Sequence, residues 1–152
     1  MKITELLADD SILLGLKAET KEDVWEALAH SFQKIGAVHN VEKYLADVAI
    51  RERSGTTGVG FGVAIPHAKS DGVTRPALAM ARLEKGIDVQ SLDGSQADLF
   101  FLIAAPIQGE EDIHLRALSK LARLLIHSSF LESLRTAKNQ QEVKAAIEAH
   151  ES

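Results

Sequence analysis

Strands interleaved with helices along the chain predict an α/β layer fold. Three observations carry that expectation. Asp98-Leu-Phe-Phe-Leu-Ile-Ala-Ala-Pro106 is the most apolar run and reads as a central strand, ended by Pro106. Two stretches of helical spacing, headed by Thr20 and Asn40, lie earlier in the chain. After them comes Gly55-Thr-Thr-Gly-Val-Gly-Phe-Gly-Val-Ala-Ile-Pro-His-Ala-Lys69, with four glycines (Gly55, Gly58, Gly60, Gly62), a short apolar run and Pro66-His67. The 152 residues are expected to form a single domain over 1–152, long enough to bury a sizeable core.

In order, Ile3 to Leu7 forms a short helical turn and Ser11 to Lys17 the first strand. Thr20 is an N-cap, with Asp23 where a capping box prefers Glu, and Val24, Leu28 and Phe32 follow at helical spacing until Gly36. Trp25 belongs to that apolar stripe, a core or docking position. Asn40 caps the next helix, whose apolar face is Tyr44, Leu45, Val48 and Ala49 and which runs into Arg51-Glu52-Arg53. Val63-Ala64-Ile65 reads as a buried strand, Asp71-Gly72 and Arg75-Pro76 as a loop, and Ala77 to Leu83 as a strand. Lys85-Gly86 is a turn, Ile87 to Leu92 a short edge segment and Asp93-Gly94 a second turn. Gly109-Glu-Glu-Asp112 opens a helix with three acids at its positive end, and Leu118, Leu121 and Leu125 line its buried face. A shorter helix restarts at Ser128 or Ser129, and Asn139 caps the last one.

Composition removes several functions. An apolar fraction of 45% with 26% charged residues is ordinary for a folded globular chain. The absence of cysteine excludes disulfides and thiolate metal sites. No apolar run approaches the roughly 20 residues of a membrane span, and the first ten residues lack the apolar core of a signal peptide, so no direct membrane insertion and a cytoplasmic location are expected. A net charge of −5 without a basic cluster argues against nucleic acid, which needs a Lys/Arg footprint.

The glycine stretch holds the chemistry. Glycines at this density permit φ > 0 and bring backbone N–H groups close to an anion, which makes Gly58, Gly60 and Gly62 candidate phosphate ligands. The strand before His67 delivers that histidine at its end, where chemistry often sits in open α/β sheets. A neutral imidazole attacks through one nitrogen while the other is held as a donor. Thr56 and Thr57 either offer hydroxyls to the phosphate or satisfy the turn. Lys69, two residues on, shares the face of His67 by strand alternation. His114 falls in the first turn of the helix after the most buried strand, near the same end of the sheet. The spacing Gly58-x-Gly60-x-Gly62 is not Gly-x-Gly-x-x-Gly and leads into a strand, so a nucleotide fold is disfavoured. His67 and His114 lack a third spaced ligand, so no metal is expected.

Arg51-Glu52-x-x-Gly55-Thr-Thr-Gly-Val-Gly-x-Gly-Val-Ala-Ile-Pro-His67-Ala-Lys69 resembles the signature of enzyme IIA of the bacterial phosphoenolpyruvate-dependent phosphotransferase system. The resemblance is to the fructose/mannitol branch, which includes nitrogen-regulatory enzyme IIA proteins. It implies a mixed sheet with helices on both faces, and phosphorylation of His67 by the histidine phosphocarrier protein. It also implies help from Arg51 and His114, no bound cofactor, and an enzyme IIB domain or a regulatory protein target as acceptor. The alternative it leaves open is a regulatory module that acts by contacting protein targets. Phe61, where the pattern usually has Asn or a similar polar residue, and Ala68, where it often has Gly, depart from it.

Overall fold

The computed structural model describes residues 2–108 and 112–151. In chain order its elements are α1 (Ile3–Leu6), β1 (Leu7–Leu16), α2 (Lys21–Lys34), α3 (Val41–Arg53), β2 (Gly58–Gly60), β3 (Val63–Ala64) and β4 (His67–Ser70), then β5 (Ala77–Ile87), β6 (Ala97–Pro106), α4 (Ile113–Leu125), α5 (Ser128–Thr136) and α6 (Gln140–Glu151). The strands make one six-stranded sheet ordered β1-β5-β6-β3-β2, with β4 also paired to β6. The sheet is mixed. β1 is parallel to β5, β3 and β4 are parallel to β6, and the β5–β6 and β2–β3 pairs are antiparallel.

Strand alternation sorts the apolar residues onto two faces. Ala77, Ala79 and Ala81 of β5 with Phe100, Leu102 and Ala104 of β6 meet Val24, Leu28, Phe32, Tyr44 and Val48 of α2 and α3. The intervening residues Leu78, Met80, Leu99, Phe101 and Ile103 meet Leu121, Leu125, Phe130, Leu134, Val143 and Ile147 of the last three helices. The expected α/β architecture, a mixed sheet between helical layers, is therefore the one observed. Tyr44, fully buried, adds a polar tie: its hydroxyl donates to the Ile103 carbonyl at 2.8 Å and fastens α3 to β6.

The helix starts follow local chemistry. Thr20 Oγ1 accepts from the Asp23 N–H at 3.2 Å while the Asp23 carboxylate accepts from the Thr20 N–H, so Asp completes the capping box. Asn40 Oδ1 accepts from Lys43 N–H at 3.1 Å, and Asn139 Oδ1 from Glu142 N–H at 2.9 Å. Trp25 is buried in the α2–α3 core.

Four details differ from expectation. β1 begins at Leu7, ahead of Ser11. β5 runs through Lys85-Gly86 to Ile87, because pairing of Ile87 with Ala97 after a register shift outweighs the local turn signal. The segment after Ile87 is accordingly a connection rather than a strand. The run into His67 does not stop before it: β3 and β4 keep one register against β6, Ala64 opposite Phe100 and His67 opposite Ile103. Pro66, with no N–H to donate, interrupts the ladder between them, so His67 opens a strand instead of closing one. Of the acids expected before α4, Glu110 and Glu111 lie outside the described residues, and Asp112 occupies the N-cap position without a side-chain cap bond.

Candidate functional site

His67 shares the face of Ile65 and Ile103, toward α4, and only 9% of its surface is exposed. Its Nδ1 lies 2.9 Å from the Ile65 carbonyl oxygen. A carbonyl only accepts, so Nδ1 carries the proton and the ring's lone pair is on Nε2. Burial lowers the His67 pKa from its ordinary value, the bond to Ile65 opposes that, and the nearby Arg51 charge lowers it while Glu52 raises it. The net effect keeps the imidazole neutral.

Arg51 stands in the last turn of α3, its Nη1 donating to the Gly55 carbonyl at 2.9 Å. His114, the second residue of α4, is half-buried, and among the described residues its buried Nδ1 has no hydrogen-bond partner. Burial lowers its pKa first, then the charges of Lys69 and His67, with Asp112 opposing. Arg51 and His114 thus each share electrostatic surroundings with His67, although the three come from three elements. Lys69 is also there, on the His67 side of β4 as alternation predicts, with its Nζ 3.1 Å from Asp112 Oδ1. Asp112 therefore pairs with Lys69 and makes no side-chain cap bond to α4.

The glycine loop is organised differently from the expected phosphate cradle. Thr57 donates its N–H and its hydroxyl to Glu52 Oε1, at 2.9 and 2.6 Å. Thr56 Oγ1 donates to the Val89 carbonyl at 2.6 Å and accepts from the Gly58 N–H at 3.0 Å. Both threonines therefore satisfy the turn. Gly60 and Gly62 flank the tip of the β2–β3 hairpin; Gly62 N–H donates to Ser95 Oγ at 3.2 Å, and Phe61 N–H to Asp93 at 3.0 Å. Val63 pairs with Leu99 and His67 with Ile103, so the start of β3 is four residues, about 13 Å of strand, from His67. Gly60 and Gly62 are not brought to the histidine. Their lack of a side chain answers to the chain's own packing. A Cβ at Gly60 would lie 2.8 Å from Asp93, and one at Gly62 2.5 Å from Arg135 and 2.9 Å from Asp98.

Phe61 is held in the left-handed region (φ 58°) and is 62% exposed. Asp93 accepts from its N–H and Arg135 donates to its carbonyl at 2.7 Å, while Arg135 also pairs with Asp98 at 2.9 Å. The residue that sequence reasoning passed over is Glu52. Its signal lay in the motif itself, an acid beside Arg51 and five residues before Thr57. Among the described residues no group of three or more His, Cys, Asp or Glu is placed to hold a metal, and no helix is long and apolar enough to cross a membrane.

A mixed sheet with helices on both faces that buries a histidine, its Nδ1 held by a backbone carbonyl, is the frame of this site. The family model for the phosphoenolpyruvate-dependent sugar phosphotransferase system, EIIA 2, matches residues 5–150, and the chain belongs to that family. It is 38% identical over 151 residues, 99% of its length, to the fructose-specific EIIABC component of Bacillus subtilis, of which it spans only 24%. It is 42% identical to the fructose-specific EIIA component of Haloferax volcanii, over 84% of this chain and 82% of that one. Against the nitrogen regulatory protein of Bradyrhizobium diazoefficiens it is 36% identical, over 97% of this chain and 95% of that one. Among solved structures, the nitrogen regulatory protein IIA-Ntr of Neisseria meningitidis superposes with a TM-score of 0.86 at 30% identity, over 95% of this chain and 98% of that one.

Proposed function

We propose that His67 accepts a phosphoryl group from the phosphohistidine of the histidine phosphocarrier protein and passes it to an enzyme IIB domain. The observation that carries this reading is the Nδ1 bond to the Ile65 carbonyl, which leaves Nε2 as the attacking nitrogen. The Nε2 lone pair forms the new N–P bond as the donor's N–P bond breaks, and that electron pair returns to the donor ring. The proton stays on Nδ1, so the phosphorylated ring keeps its hold on Ile65. Charge on the three transferred oxygens falls within reach of Arg51, whose fork swings from the Gly55 carbonyl to bind them bidentately. His114 supplies a hydrogen bond to the same oxygens, since none of the described residues fixes its proton to Nδ1. Thr56, Thr57 and Gly58 shape the turn that carries the site, and Gly60 and Gly62 take no part in phosphate binding.

A second reading is favoured by the nitrogen-regulatory relative, which this chain matches nearly end to end. In it the same phosphohistidine is a signal, read by a protein that distinguishes the two states of the surface around His67.

Intact mass after incubation with phosphoenolpyruvate, enzyme I and the carrier tests the shared step. One acid-labile phosphoryl group on the wild type and none on His67→Ala is expected. An active carrier pair that leaves the wild type unlabelled overturns the phosphocarrier reading, and label that persists in His67→Ala overturns the assignment of the residue.

A further inference from the structure

Glu52 is badly placed for an ordinary surface acid. It lies in the last turn of α3, where the helix dipole disfavours negative charge, and beside a histidine proposed to carry a phosphate. Both placements cost free energy. What offsets them is a chain of three hydrogen-bonded links. The Glu52 carboxylate takes both Thr57 donors, at 2.9 and 2.6 Å. The Thr57 carbonyl takes the Ile65 N–H at 2.9 Å. The Ile65 carbonyl takes His67 Nδ1–H, also at 2.9 Å.

We propose that Glu52 is a positioning residue for phosphoryl transfer at His67, holding through Thr57 the segment whose Ile65 carbonyl fixes the ring and its tautomer. The proposal rests on His67 being the acceptor. It explains why a carboxylate stands there, since one charged group holds two donors at once and so pins both the backbone and the side chain of Thr57. It also gives the site a division of charge. Arg51 faces the phosphate, while Glu52 opposes the Arg51 field at the ring, which is cationic once Nε2 is phosphorylated and Nδ1 keeps its proton. Among the described residues, the charged and titratable groups that face the two rings are Arg51 and Glu52 from α3, Lys69 from β4, and Asp112 with His114 from the start of α4.

The test uses the full chain with ¹⁵N-labelled histidine, read by ring NMR, for Glu52→Ala, Glu52→Gln and Thr57→Val. The wild type is expected as the Nδ1–H tautomer. Glu52→Ala mixes the tautomers and slows phosphorylation by the carrier about tenfold or more, as loss of orientation does. Glu52→Gln keeps an acceptor oxygen, so it restores the tautomer, but removal of a charge that raises the His67 pKa moves the titration further down. Thr57→Val lies between the alanine and glutamine variants.

A folded Glu52→Ala with wild-type tautomer and rate overturns the proposal, and so does a Glu52→Gln that titrates where the wild type does. If Glu52→Ala does not fold, Glu52→Gln and Thr57→Val decide on the same readouts. Tautomer and titration are measured without phosphate. A wild type that takes no phosphoryl group therefore overturns the phosphocarrier reading, while these measurements still judge whether Glu52 orients His67.

Discussion

Removing one oxygen from Tyr44 tests how α3, and with it Arg51 and Glu52, is fastened beneath the site. The Tyr44 hydroxyl is fully buried, burial raises its pKa well above the ordinary value, and its one hydrogen bond here is to the Ile103 carbonyl at 2.8 Å. Ile103 is also the residue opposite His67 in the β4–β6 ladder. Tyr44→Phe keeps the ring in its edge-on contact with Phe32, at 6.1 Å between centroids, so the loss is confined to the bond. A neutral hydrogen bond is worth about 1 kcal/mol net, and a buried carbonyl left without that donor adds up to about 2 more. Tyr44→Phe should therefore lose about 1–3 kcal/mol in urea unfolding, with an unchanged slope. For a chain of this size each kcal/mol is about 2–4 °C in melting temperature. Phosphorylation of the folded variant should continue, because no reacting group is touched. Stability equal to the wild type within about 0.3 kcal/mol would refute the reasoning, since the tie would then contribute nothing.

Gly62→Ala forces a side chain onto φ 77° and into Arg135 and Asp98, so it should cost about 1–3 kcal/mol of stability. It should leave the phosphorylation rate of the folded fraction unchanged, and a rate loss beyond the folded fraction would return Gly62 to the phosphate site. Burial lowers the pKa of both His67 and His114, so the phosphorylation rate should stay level as pH falls through about 6.5 and drop only below it. A rate that halves at or above that pH would refute the neutral-ring reading. The same shifts make stability dependent on pH. The unfolded chain takes up protons first, so stability present above about 6.5 is lost as pH falls through the lowered folded-state values. Asp93 is held at about 2 by the Phe61 N–H and the Ser95 hydroxyl and N–H. Its contribution is present above the ordinary 3.8 and lost as pH falls through about 2, so the deficit of Asp93→Asn in melting temperature should shrink between those pH values.

What was readable in the chain and what was not divides by distance along it. Thr20, Asn40 and Asn139 cap from three residues away, within the span of one helical turn, and their roles follow from local chemistry. The proposed site residues could be named from the chain because Arg51 and His67 share one motif and His114 opens the helix after the central strand. Gly60 and Gly62 lie along the hairpin away from His67, and the sequence could not place them for a physical reason. Dense glycine permits close approach, and nothing local says whether an anion or another part of the chain approaches. The partners that settle it, Asp93 and Arg135, are 32 and 74 residues from Phe61. Lys85-Gly86 shows the same limit, for a turn signal was overridden by pairing with a strand ten or more residues away. Glu52 was quoted but not understood, because its meaning lies in the relay through Thr57 and Ile65, which exists only once β2 and β3 are paired.

The position of His67 in the layers bears on what kind of donor it meets. β4 joins β6 beyond the end of β3, so no further strand covers it, and the site is assembled from the end of α3 on one side and the start of α4 on the other. Exposed apolar residues adjoin the site residues in sequence: Ile50 next to Arg51 is 56% exposed, Leu115 next to His114 51%, and Ile107 just past β6 49%. A small phosphorylated metabolite would be met by an enclosed pocket rich in polar contacts to fix its orientation. Here orientation is supplied to the acceptor ring by the Ile65 carbonyl, with the charges of Arg51 and Glu52 around it. An acceptor ring held in this way suits a donor whose own fold orients the phosphate. The phosphoprotein donor proposed above meets that condition.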